Sequence, residues 1–236
     1  MAGFFSAQRR AWELLLARSW RRPFWGPLAW GLDRALAPRV ASHLRGEVLD
    51  AGCGMMPYRA LITKGGARYH GFDLSARVEG VEVIGDLQDA PGLKDGAFDA
   101  ALCSEVLEHL PAPERGLATL ARVLCRGGVL VLSMPFLARL HEEPHDHTRW
   151  TEHALRHRLA EAGFEVRELV RTGGLATFLG HQVASALLLP VAGIPALRDL
   201  ALIAVAVVTI IPARIIDLLP GMRLFPSGYV VVAVKR

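Results

Sequence analysis

The run Glu47-Val48-Leu49-Asp50-Ala51-Gly52-Cys53-Gly54 constrains this chain more than any other: a short apolar strand ends in an acid and passes into a turn with two glycines. Glycine tolerates positive φ and carries no side chain, so such a turn lets backbone approach a ligand closely. The residues beyond the turn agree with a nucleotide-type site. Arg68-Tyr69-His70-Gly71-Phe72-Asp73 reads as a second strand, and its terminal acid stands 19 residues after Gly54. That is where βαβ folds place a carboxylate to receive ribose hydroxyls. A third element, Val81 to Leu87, carries Asp86 at its end.

Three acid-tipped strands in one run resemble the class I S-adenosylmethionine-dependent methyltransferases of the type 11-like group. The Asp-x-Gly-Cys-Gly form favours that family over an NAD-binding unit, whose third glycine is replaced here by Pro57. Ala97 to Leu110 resembles the family's fourth strand and the turn after it, and Arg126 to Ser133 resembles its glycine-led fifth strand. The resemblance covers about residues 46–171 and a last strand near the C-terminus. It implies S-adenosyl-L-methionine (S-adenosylmethionine) as cofactor. Asp50, Gly52 and Gly54 would shape the methionine and ribose side of its pocket, Asp73 would accept the ribose hydroxyls, and Asp86 with Leu87 would contact the adenine. Ser104 and Glu105 would line the cofactor where it meets the acceptor. Methyl transfer from a sulfonium is an in-line displacement, so orientation and a dry pocket supply much of the rate and no catalytic triad is required.

Periodicity predicts strands near 47–51, 68–73, 81–84, 97–103, 128–133, 164–170 and 228–234, with helices between most of them. Pro113 opens one helix, and Thr151 caps another that Gly163 ends. The expected fold class is α/β: a Rossmann-like, seven-stranded, mostly parallel sheet with helices on both faces. The resemblance adds an antiparallel last strand. Two parts are expected, a basic aromatic N-terminal helical segment over 1–45 and a methyltransferase domain over 46–236, the latter with a hydrophobic helical insertion at 172–227.

The N-terminal segment carries eight arginines against Glu13 and Asp33, interleaved with Trp12, Trp20, Trp25 and Trp30. Arginine with tryptophan is the composition of a membrane-interface helix, which is favoured over nucleic acid as the partner; packing of Leu14 to Leu16 on the domain is the plainer alternative. In the insertion, Thr172 to Leu197 contains no Asp, Glu, Lys or Arg, and Leu200 to Ile211 is 12 apolar or small residues before Pro212. Glycines and prolines interrupt the first stretch and the second is short, so pieces lying in one leaflet are expected rather than a span of about 20 residues. A homodimer through the insertion is the competing reading. A mean hydropathy of +0.29 agrees with apolar surface facing something other than water. Cys53, Cys103 and Cys125 form no C-x-x-C pair, which points to a reducing cytoplasm, and the expected location is peripheral, on the inner face of the cell membrane.

His141-Glu142-Glu143-Pro144-His145 fits the H-E-x-x-H metalloprotease pattern, but Pro144 breaks the helix that would align its histidines, and no metal is expected. The residues have another use. Pro144 to Thr151 resembles a Pro-His-Asp-x-x-Arg-aromatic-Thr signature of bacterial methyltransferases linked to envelope and polysaccharide synthesis. His141, His145, Asp146 and Arg149 are therefore the catalytic candidates, histidine as proton acceptor and Arg149 as a clamp for phosphate or carboxylate. His109 is expected to be a packed or capping residue. The expected activity is methyl transfer to a small or lipid-linked amphipathic acceptor at a membrane surface. A quinone or isoprenoid ring methyltransferase and a non-catalytic, membrane-attached cofactor-binding protein are the alternatives.

Overall fold

In the computed structural model, residues 26–76, 79–188, 191 and 194–236 are described. Trp12, Trp20 and Trp25, on which much of the N-terminal expectation rests, lie outside the described residues. The described residues divide into two compact units, one within 35–136, 140–170 and 228–236, the other within 26–34, 137–139 and 171–227. The division falls after Arg34, inside the first helix, α1 (Pro27–His43).

The larger unit holds seven strands: β1 (Glu47–Ala51), β2 (Arg68–Asp73), β3 (Val83–Ile84), β4 (Phe98–Ser104), β5 (Leu124–Pro135), β6 (Phe164–Thr172) and β7 (Gly228–Lys235). They lie in the order β3-β2-β1-β4-β5-β7-β6. β1 pairs in parallel with β2 and β4, while β7 runs antiparallel to β5 with Pro135 opposite Gly228. The mostly parallel sheet with a reversed last strand is thus the one expected. Two boundaries differ. β3 shrinks to two residues, and β5 begins at Leu124 because its pairing with β4 jumps from Phe98–Leu124 to Ala100–Val129 across a bulge.

The interior follows from the pattern of each element. Leu49, Leu102, Leu130 and Val231 on neighbouring strands are buried, and helix α3 (Pro113–Val123) turns Leu117, Leu120 and Val123 inward at helical spacing. Each such side chain contributes about 1.5 to 3 kcal/mol. Helix α4 (Glu152–Glu161), which follows the short α2 (Arg59–Lys64) and α3, starts where the Thr151 hydroxyl accepts the Ala154 N–H at 3.2 Å. It ends before Gly163, whose φ of +86° suits a left-handed stop.

The smaller unit is helical: α5 (Leu175–Leu188), α6 (Pro195–Val205), a π-helical stretch Ala206–Ile210, and α7 (Ile211–Ile216). Pro212 does not end the helix, because the wider π turn immediately before it accommodates the ring and the missing N–H. Asp217 is buried and holds the start of α5, accepting the Ala176 N–H at 2.9 Å, the Thr177 N–H at 3.1 Å and the Thr177 hydroxyl at 2.6 Å. Among the described residues no helix is long and apolar enough to cross a membrane.

Candidate active site

The turn after β1 is built by two acids and two glycines. The N–H groups of Gly52 and Cys53 both donate to the Phe72 carbonyl, at 2.8 and 3.0 Å, which ties the turn to the end of β2. Asp73, at that end, accepts the Gly54 N–H at 2.8 Å on one carboxylate oxygen and the Ser75 N–H at 3.2 Å on the other. The residue spacing read from the sequence therefore corresponds to a direct contact. Gly52 has φ +76°, and a Cβ there would stand 2.4 Å from the Val106 side chain. Gly54 has φ +51° and nothing within 4 Å of a Cβ position, so its backbone borders open space. A nucleotide-type cofactor fits such a turn, because polar backbone and a carboxylate border space that no side chain fills.

Asp50 lies beneath the turn, 3% exposed, with the Tyr69 hydroxyl donating to it at 2.7 Å. Burial pushes its carboxyl up to about 7, partly offset by that hydrogen bond and increased by the Asp73 charge. Asp86 accepts the Gln88 N–H at 2.8 Å and both its oxygens meet the Gln88 amide, the geometry of an acid-closed turn. Leu87 is buried in the hydrophobic core, so its side chain is a packing element, and it is the backbone that a ligand would meet.

Past β4, Ser133 donates to a carboxylate oxygen of Glu105 at 2.9 Å, so the 3.0 Å contact between the Ser104 and Ser133 hydroxyls has Ser104 as donor. Glu105 sits at φ +55°, a strained conformation for a residue with a side chain. The next turn, Leu107–His109, supplies a group that the sequence reading did not single out. Glu108 is 0% exposed, and neither carboxylate oxygen has a hydrogen-bond partner. Its Oε1 lies 3.6 Å from Nε2 of His109 and 3.8 Å from Nε2 of His141. Burial raises the Glu108 carboxyl to about 7 against the opposing pull of His109, of its own backbone N–H and of Arg149.

The segment from 141 to 149 is brought to this carboxylate by backbone. The N–H groups of His147 and Thr148 donate to the Glu108 carbonyl at 2.8 and 3.3 Å, and the His109 ring bonds the His145 carbonyl at 2.6 Å. The segment has no helix, as Pro144 requires. The His145 side chain is exposed, and its carbonyl accepts from His109. Arg149 donates bidentately to Asp146. Burial alone would raise the Asp146 carboxyl, but Arg149 and the His141 N–H, donating at 3.0 Å, hold it below the ordinary value. His141, His109 and Glu108 bring ligand atoms within 4.8 Å of one another, a set that could hold one divalent ion and that the H-E-x-x-H pattern does not contain.

Residues 24–169 match the methyltransferase domain family. The chain belongs to that family. The sheet order, the glycine turn and the acid-tipped β2 are those of its class I, S-adenosylmethionine-dependent members. Among solved methyltransferases, an S-adenosylmethionine-dependent enzyme from Mesorhizobium loti is 17% identical with a TM-score of 0.55, covering 87% of this chain and 98% of its own. Phosphoethanolamine N-methyltransferase 2 from Haemonchus contortus, solved with S-adenosyl-L-methionine, is 15% identical with a TM-score of 0.56, over 89% of this chain and 53% of its own. Both likenesses concern the fold. In sequence, the ubiquinone biosynthesis O-methyltransferase of Xanthomonas oryzae pv. oryzae is 34% identical over 100 residues, 37% of this chain and 42% of that protein. The match thus spans less than half the length of that relative.

Membership of the methyltransferases explains why the glycine turn was legible and Glu108 was not. The turn is a run of adjacent residues, whereas Glu108 becomes unusual only when folding removes water from it. Its one signal in the sequence is position: Leu107-Glu108-His109-Leu110 sets an acid between apolar residues directly after a buried strand.

Proposed function

We propose that the protein transfers a methyl group from S-adenosylmethionine to a hydroxyl of an amphipathic, lipid-type acceptor, with Glu108 and His109 receiving the hydroxyl's proton. The observation that carries this is the buried Glu108 carboxylate, without a hydrogen bond, beside two histidine nitrogens at the carboxyl end of β4. The cofactor, when bound, supplies a methyl group activated as a sulfonium. Asp73 and the Gly54 backbone hold its ribose side, and Ser104 with Glu105 borders the acceptor side. His109 would accept the hydroxyl proton at Nε2 as the acceptor oxygen takes the methyl group and the sulfur leaves with the electron pair of the broken methyl–sulfur bond, and Glu108 would stabilise the resulting imidazolium. Asp146 and Arg149 keep His141 and the loop in register.

Methylation of a quinone-type ring hydroxyl is the second reading, favoured by the likeness of this domain to the Xanthomonas ubiquinone biosynthesis O-methyltransferase. The acidity of a ring hydroxyl suits a proton acceptor near neutrality. Mass spectrometry of membrane lipid extracts and of hydroxylated prenyl-ring compounds, incubated with enzyme and deuteromethyl-labelled cofactor, separates the two. Label in polar lipids supports the first reading, and label confined to ring compounds supports the second. Equal labelling by wild type and Glu108→Gln would remove Glu108 from the chemistry. A run with chelator belongs beside it: activity lost and restored by a divalent ion would assign Glu108, His109 and His141 to a metal instead.

A further inference from the structure

The smaller unit has its polarity reversed. Thr177, Ser185, Thr209 and Asp217 are buried, whereas many apolar side chains of its helices face outward. Along the helix formed by α6, the π stretch and α7, the residues Leu200, Ile203, Val207, Ile211 and Ile215 recur at spacings of three and four, Leu218 follows in the turn beyond, and all are exposed, Leu200 and Ile203 by 66% and 65%. The opposite stripe, Val205, Thr209 and Ala213, is buried. A helix with one face packed and an apolar face outward is suited to lying in the plane of a lipid surface. On α5, Leu179, Val183 and Leu187 repeat the pattern at intervals of four.

The charges decide between lipid and a second copy. Among the described side chains between 172 and 227, the exposed charged groups are Arg214 and Arg223, and the carboxylate, Asp217, is buried. A two-fold interface would bring the exposed Arg214 and Arg223 towards like charges of the second copy. Lipid phosphate meets them directly. Two guanidiniums approach the Trp30 ring, Arg214 at 4.2 Å and Arg34 at 5.1 Å from its centre, and tryptophan with arginine is the pairing found at the level of lipid headgroups.

We infer that the outward apolar stripe Leu200–Leu218, flanked by Arg214 and Arg223, is a docking face for an anionic phospholipid surface, with the helix lying in the plane of that surface. Such a face does not depend on the identity of the methyl acceptor. The full chain is floated with phosphatidylcholine vesicles, with and without phosphatidylglycerol, alongside Ile203→Glu/Val207→Glu and Arg223→Gln. S-adenosylhomocysteine binding by calorimetry reports that the larger unit of each variant is folded, and helical circular dichroism reports the same of the smaller unit, both independently of lipid. Wild type should float with the phosphatidylglycerol vesicles, the double variant should bind them at least about tenfold more weakly, and Arg223→Gln should lose salt-sensitive binding, with ligand binding unchanged in all three. Wild type remaining at the bottom with both vesicles overturns the inference, and sedimentation as a dimer in that case assigns the face to a second copy. Flotation unaffected by the double variant overturns it equally.

Discussion

His109 Nδ1 lies 2.6 Å from the backbone carbonyl oxygen of His145, and this bond decides which nitrogen of His109 faces Glu108. A carbonyl only accepts, so Nδ1 carries the proton. The neutral ring therefore presents a lone pair at Nε2, 3.6 Å from a carboxylate that has no hydrogen bond of its own. The orientation of His109 beside the adjacent Glu108 thus depends on a carbonyl supplied by a loop 36 residues away.

His109→Ala and Glu108→Gln should lower kcat by about 10² to 10⁴, the range for a positioned proton acceptor, and leave the S-adenosylhomocysteine Kd within a few-fold. Single-turnover kinetics with calorimetry on the same preparations measures both. Normal turnover in both variants would return His109 to a purely structural role.

Acid should suppress turnover in a predictable window. The Glu108 carboxyl is raised to about 7, so below that pH it is protonated and no longer stabilises an imidazolium. The wild-type rate should rise through about pH 7, and the Glu108→Gln profile should lose that limb. Stability runs the other way. Glu108 and Asp50 both have folded values near 7, above their ordinary values of 4.5 and 3.8, so each favours the fold fully below its unfolded value and ceases to do so as pH rises through about 7. Each shift is on the order of 3 kcal/mol. Denaturant midpoints should fall between about pH 4 and pH 7, and Glu108→Gln should flatten the slope without abolishing it, since Asp50 remains.

Gly52→Ala should destabilise the fold by about 2 to 3 kcal/mol, because its Cβ would stand 2.4 Å from Val106 at a φ of +76°. Gly54→Ala meets no atom within 4 Å, so its effect should fall on cofactor affinity more than on the thermal midpoint, apart from the strain at φ +51°. Asp73→Ala removes the acceptor of the Gly54 N–H together with a ribose partner, and about 1.5 to 3 kcal/mol of binding should go with it. Calorimetry and melting curves of the three variants separate these effects.

The parts of the fold that were legible in the sequence are those set by local pattern. Alternating apolar strands, Pro113 at the first turn of α3 and the Thr151 cap each depend on neighbours within a few residues. The parts that were not legible depend on distance along the chain or on a turn no spacing announces. The pairing of Arg149 with Asp146 is not announced by spacing, and Pro212 reads as a helix stop until the π turn absorbs it. Residues at the site were harder than the fold for the same reason: a buried carboxylate is defined by the water it lacks, and no spacing rule encodes that.

Asp217 offers a last test, confined to the helical unit. Its two oxygens accept three hydrogen bonds from the first turn of α5, two from backbone N–H groups that have no partner within the helix and one from Thr177. Gly174 must remain glycine beside it, since a Cβ there would stand 2.6 Å from the carboxylate. Removing the carboxylate leaves buried donors unsatisfied, at about 1 to 3 kcal/mol for such groups, and removes the negative charge at the positive end of the α5 dipole. Asp217→Ala should therefore expose the amides of residues 175–178 to hydrogen exchange while amides of β1 and β4 keep their protection. Protection unchanged in α5 would show that packing of Thr177, Ala184 and Leu188 holds the helix without its cap.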